Sequence, residues 1–94
     1  MRKVPRIPKT LHLRGREVKV TVAPSDEFEI DAWSDKEAGE ITIGEHLLGK
    51  GQRVALVESL IHECLHIAYP DLSERPVDGT ARDITAALRR AGLI

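Results

Sequence analysis

Residues 62 to 66 read His62-Glu63-Cys64-Leu65-His66: two imidazoles four positions apart, with a carboxylate next to the first. On a helix, residues four apart lie only about 40° apart around the axis, so the two rings point the same way one turn apart. Two imidazoles so placed can share one tetrahedral ion without any change in the backbone. Glu63 projects about 100° from His62 and about 60° from His66. From there it reaches a water at the metal rather than the metal itself, the position of a general base. Zinc would lower that water's pKa to about 7, and Glu63 could take its proton and later return it to a leaving amine. The bland alternative is an ordinary polar helix surface with a Glu salt bridge. The pattern arises by chance in roughly three of a thousand chains of this length at usual residue frequencies. Chance matches fall mostly in loops or on exposed faces, so the surrounding pattern decides, and it favours metal.

That pattern is helical. From Gln52 to Tyr69, apolar residues recur at three and four: Val54, Val57, Ile61, Cys64, Leu65 and Ala68. Leu56, Leu60 and Ile67 widen the apolar surface, so this helix must be covered on more than one side. Cys64 lies about 200° from His62 and reads as a small core residue, not a ligand. Pro70 ends the helix. After Asp71-Leu72-Ser73 a second helix is expected to run to about Ala91, with Val77, Ala81, Ile84, Leu88 and Ala91 on one face. Gly92 suits its C-cap, and Leu93 and Ile94 can fold back as the accompanying apolar contact.

A catalytic zinc generally has three protein ligands and one open position. Downstream of His66 the candidates are Asp71, Glu74, Asp78 and Asp83, with no later histidine. The loop is short, so the first turn of the second helix must return to within about 8–10 Å of the first helix near His66. Glu74 occupies that turn, at the edge of the apolar stripe. Asp78 lies further round, Asp83 points away, and Asp71 has a simpler use as a helix cap. Glu74 has an alternative as well: with Asp71 as N-cap it falls at the third helical position, a capping-box pattern, whereas with Ser73 as N-cap it is the first. Asp78 could accept a hydrogen bond from a ligand histidine and fix its tautomer, or form a plain salt bridge with Arg82 one turn on.

The elements that must carry this helix pair lie upstream. Residues 1–9, with Pro5 and Pro8, read as an extended N-terminal segment. Leu11 and Leu13, then Val18, Val20 and Val22, alternate with polar residues around a turn at Arg14-Gly15-Arg16, which predicts a β-hairpin with one buried face. "FEIDAW" alternates again, "SDKEAG" turns, and "EITI" supplies a short run ending at Gly44, a second strand pair. Residues 44–51 hold three glycines and make a connector, with a helical turn around Leu47. The expected fold is α+β: a small, antiparallel-leaning sheet of two strand pairs, then an αα-hairpin whose first helix lies between the sheet and the second helix.

Ninety-four residues, 41% apolar and 31% charged, make one small domain with a modest core. One cysteine cannot form an intramolecular disulfide. The first residues lack the apolar stretch of a signal peptide, and no run is long enough to cross a bilayer, so a cytoplasmic location is expected. The net charge of −1 argues against a dedicated nucleic-acid binder. The charge is uneven, however. The first 20 residues hold seven Lys or Arg against one Glu, while residues 26–40 are strongly acidic.

His62-Glu63-x-x-His66 followed by a Glu on the next helix resembles the gluzincin group of zinc metallopeptidases. The Glu74-x-x-x-Asp78 spacing is similar to that group's ligand Glu followed by a supporting Asp. The short form, "HECLHIAYPDLSE" after a small sheet, looks most like the minimal zincin-like proteins of phages and prophages. The resemblance implies a zinc-dependent peptidase with His62, His66 and Glu74 as ligands and Glu63 as base, its peptide or protein substrate bound along the strand at residues 40–43. Two features depart from the larger enzymes of the group. Glu74 follows His66 by only eight residues, and there is no room for a second lobe that would stabilise the oxyanion. Tyr69 and His46 are the candidates for that task. His12 reads as a solvated strand residue and Trp33 as packing. The alternative function is a zinc-binding module of the same fold with little or no peptidase activity, acting by binding a partner. A metal-dependent hydrolase of nucleic acid would need the basic N-terminal strip to flank the cleft.

Overall fold

The two-residue turn at Arg14-Gly15 starts the sheet. Both residues adopt positive φ, 52° and 81°, as the tight hairpin turns whose twist matches the flanking strands require. They join β1 (Thr10–Leu13) to β2 (Arg16–Ala23) in antiparallel register, Leu11 opposite Val18. β3 (Ala32–Asp35) and β4 (Glu40–Gly44) form the second antiparallel pair, with Trp33 opposite Thr42. The computed structural model describes residues 6–24 and 30–94. The expected start of the second strand pair at Phe28 and most of the N-terminal segment lie outside the described residues.

The two hairpins do not simply sit side by side as antiparallel pairs. The sheet is mixed, in the order β1-β2-β4-β3, and β2 and β4 run parallel, Val20 beside Ile41 and Val22 beside Ile43. Alternation within each hairpin is local and says nothing about how two hairpins join. What joins them is the match of apolar faces. Val18 and Val20 on β2 and Ile41 and Ile43 on β4 make one floor, 0–6% exposed, that a helix can cover. One expectation fails as a result. Residues 40–43 are paired on both edges, so an extended peptide cannot add to them. Among the described residues, the unpaired edge on that side of the sheet belongs to β3.

A 3-10 turn (Glu45–Leu48) buries Leu47 and leads to α1 (Arg53–Ala68), which lies across the sheet; α2 (Glu74–Arg90) returns and packs chiefly on α1. Leu56 and Ile67 of α1 close the core with Val18, Val20, Ile41, Ile43 and Leu47. Cys64 packs against it, its thiol pushed up to about 11 by burial and then by the Glu63 carboxylate, so it stays protonated. On α2 the buried row is Val77, Ala81 and Thr85, not Ile84, which is 40% exposed. The row follows the four-residue ridge that faces α1, and the Thr85 hydroxyl tolerates burial by donating to Ala81 O at 2.7 Å. At the end of α2 the C-cap is Ala91, one residue before the expected Gly92, and Gly92 (φ 76°) supplies the left-handed turn just past it: Gly92 N donates to Arg89 O and Leu93 N to Leu88 O. Leu93 itself stays 67% exposed rather than folding back.

Two strand turns hold the link between the helices. Arg14, in the β1–β2 turn, donates to Ala68 O at 3.0 Å and lies over the Tyr69 ring at 4.9 Å. Lys36, in the β3–β4 turn, donates to Pro70 O at 3.0 Å. Both carbonyls belong to the negative C-terminal end of α1 and the link after it, where cations are favoured. No helix among the described residues is long and apolar enough to cross a membrane.

Candidate metal centre

α1 supplies His62, Glu63 and His66; the first turns of α2 supply Glu74 and Asp78. The connection between them is short, and Ser73, in extended conformation, is the N-cap. Glu74 is therefore the first helical residue and does not complete a capping box with Asp71. Its side chain turns toward α1 instead. Glu74 Oε1 lies 2.6 Å from His62 Nε2 and Oε2 lies 3.0 Å from His66 Nε2, while the two Nε2 atoms are 3.1 Å apart.

Asp78 engages the other nitrogen of His62. Its Oδ1 lies 3.0 Å from His62 Nδ1, and because a carboxylate only accepts, Nδ1 carries the hydrogen. The other ring nitrogen, Nε2, faces a second acceptor, the Glu74 carboxylate. Two acceptors this close repel unless a cation or proton lies between them. Ligand atoms around a tetrahedral zinc with bonds of about 2.0–2.1 Å sit about 3.3 Å apart. One ligand atom from each of His62, His66 and Glu74 lies within 4.8 Å of the other two, close enough for one ion to be shared, and the donor types are those zinc takes. The imidazole side chains are 20% and 14% exposed and the Glu74 side chain 62%, so the rings are fixed by packing while the carboxylate closes the site from the solvent side. One atom departs from the usual arrangement: His66 Nδ1 is buried and has no hydrogen-bond partner among the described residues. His62 has a carboxylate at each ring nitrogen, whereas His66 has polar neighbours at Nε2 only.

Glu63 is 7% exposed and lines the same cleft. That cleft, of about 360 Å³, lies between the β3 edge (Ala32, Trp33, Ser34) and His62, His66 and Glu74. It continues past His62 into a smaller recess of about 180 Å³ bounded by Asp31, Glu58 and Ser59. The structure thus brings together His62, Glu63, His66, Glu74 and Asp78. It does not bring Tyr69 or His46 to them. Tyr69 is 47% exposed beneath Arg14, and His46 Nε2 is held 2.7 Å from Asp31 Oδ1. His12 is exposed on β1 opposite Glu17. Trp33, expected as packing, is 38% exposed on the cleft wall.

The chain matches no family model, no curated protein and no solved structure. Geometry alone therefore carries any reading of the site. Sequence reasoning missed Asp31 and Glu58 as neighbours of the cleft. Glu58 had a signal, four residues before His62 and so on the same helix face. Asp31 had none, since only the β3–β4 pairing brings it beside α1.

Proposed function

We propose that this chain is a zinc-dependent metallopeptidase. The observation that carries the reading is that the two Nε2 atoms lie 3.1 Å apart and each faces one Glu74 oxygen, at 2.6 Å for His62 and 3.0 Å for His66, with Glu63 in the same cleft. His62, His66 and Glu74 would hold the ion, which when bound supplies Lewis acidity toward a carbonyl and a water acidified to a pKa of about 7. The protein groups do the rest. Asp78 keeps the His62 hydrogen on Nδ1 and its lone pair on Nε2. Glu63, buried at the cleft floor, accepts the proton of the attacking water and delivers it to the leaving amine. The free edge of β3 offers backbone N–H and C=O groups to an extended peptide, which the paired β4 cannot. The test is Glu63→Gln: turnover of a generic protein substrate should be abolished while zinc binding stays. Full turnover in that variant would reject the mechanism.

One observation favours a second reading, a zinc-binding module without appreciable peptidase activity. The cleft is open, and neither Tyr69 nor His46, the residues expected to stabilise an oxyanion, lines it. In that case zinc binds and Glu63→Gln changes nothing measurable, because the native protein turns over nothing. A nucleic-acid hydrolase finds less support. Arg14 and Arg16 of the basic strip are spent on backbone carbonyls, Ala68 O and Glu37 O.

A further inference from the structure

The seam between α1 and α2 does not end at the metal centre. Antiparallel packing sets Glu58, one turn before His62, across from Arg82, one turn after Asp78. There, a recess of about 460 Å³ is lined by Val54, Thr85 and Ala86, by Glu58, and by Arg82, Arg89 and Arg90. Glu58 borders both this recess and the one at His62 and Glu63, so the two adjoin. Arg82 also lines the surface hollow beside Glu74 and Asp78. Three cations therefore line a recess that shares Glu58 and Arg82 with the hollows beside the candidate ligand residues.

These guanidinium groups have no carboxylate partner among the described residues. For Arg82 this follows from the metal centre. Its natural partner at four-residue spacing is Asp78, but Asp78 is turned to His62. Arg89 and Arg90 sit in the last turn of α2, where positive charge complements the helix dipole. Arg82 is mid-helix, where the dipole gives no reason for it. Guanidinium forks beside the aliphatic side chains of Val54 and Ala86 suit a carboxylate carried on a short aliphatic stem.

We infer that this recess is an anionic subsite of the cleft, taking the Asp or Glu side chains of an extended peptide that passes the metal centre. The inference rests on the metallopeptidase reading and names its substrate class. A peptide is favoured over a nucleic acid because Glu58, Asp31 and Asp78 flank the way from the recess to the metal. They would oppose an unbroken phosphate backbone but not a peptide acidic at one end only. Along α2, Arg82 lies about 12 Å and Arg89 about 22 Å from Glu74 at helical rise. An extended chain covers those distances in about four to seven residues, so the acidic residues belong that far from the scissile bond.

The test uses full-length Glu63→Gln protein, so that bound peptide is not cleaved, and two fluorescein-labelled twelve-residue peptides. One carries four Asp or Glu at one end; the other has Asn or Gln in their places. Each is made in both orientations, and binding is read by anisotropy at low and high salt. The acidic peptide should bind about tenfold tighter in one orientation, a gap that shrinks with salt. The gap should vanish in Arg82→Gln/Arg89→Gln/Arg90→Gln, whose exposed substitutions leave the core untouched. Equal affinities overturn the inference, as does an acidic preference that survives the triple variant. So does displacement of the peptide by an equal concentration of oligothymidylate. Zinc uptake, measured on the same samples, separates the two levels. Protein that binds zinc but ignores peptide charge sinks this inference alone; protein that takes no zinc sinks the metallopeptidase reading with it.

Discussion

Asp78 and Glu74 face the His62 ring from opposite nitrogens. Asp78 Oδ1 lies 3.0 Å from Nδ1 and Glu74 Oε1 lies 2.6 Å from Nε2. One carboxylate accepts from Nδ1 and orients the ring, and the other lies at the nitrogen that would meet the ion. Removing the first should therefore weaken the site without removing a ligand. Asp78→Ala should lower zinc affinity about 10- to 100-fold, measured by competition with a chromophoric chelator, while far-UV circular dichroism stays native. Affinity equal to the parent would mean that His62 needs no such partner.

Arg14 and Lys36 fasten the link that delivers Glu74. Arg14→Ala/Lys36→Ala leaves His62, His66 and Glu74 unchanged but frees the Ala68 and Pro70 carbonyls. Zinc affinity should fall severalfold, with Arg14→Lys/Lys36→Arg recovering most of it. Unchanged affinity in the alanine pair would show that α2 holds its position by packing on α1 alone.

Ile41, fully buried on the inner strand β4, anchors the floor under α1. Ile41→Ala should cost about 2–5 kcal/mol in denaturant unfolding. An edge position would cost far less, so a loss under 1 kcal/mol would contradict the strand order.

Cys64 gives a pH signature. Its folded-state thiol is held at about 11, above the value of 9.0 it has when exposed, because burial disfavours the thiolate and Glu63 adds to this. The native state thus keeps a proton that the unfolded chain gives up. That contribution to stability is complete below about pH 9 and is lost as pH rises through about 11. Stability in the zinc-free protein should fall across this window more steeply than in Cys64→Ala. Ellman's reagent should react slowly with the native thiol at pH 8 and rapidly once the chain is unfolded.

Much of this arrangement was legible in the sequence, for identifiable reasons. The helix pair and its caps follow from apolar spacing and from Pro70 and Gly92, which act locally. Glu74 could be placed by phase because the loop is too short to take α2 anywhere else. Hairpin joining could not be read: Val20 meets Ile41 across twenty residues, and nothing in either strand's alternation distinguishes a parallel from an antiparallel neighbour. The same step hid the β3 edge and Asp31. On α2, Ile84 looked more buried than Thr85 because apolarity was the only guide. The hydroxyl bond to Ala81 O that makes Thr85 acceptable appears only once the helix is packed.

The most direct measurement is the metal content of protein purified without added metal, by mass spectrometry, for the native chain and Glu74→Ala side by side. About one zinc per native chain, lost or much weakened in Glu74→Ala, is the predicted result. No metal in the native protein even after zinc is added, or full occupancy in Glu74→Ala, would contradict the centre formed by His62, His66 and Glu74.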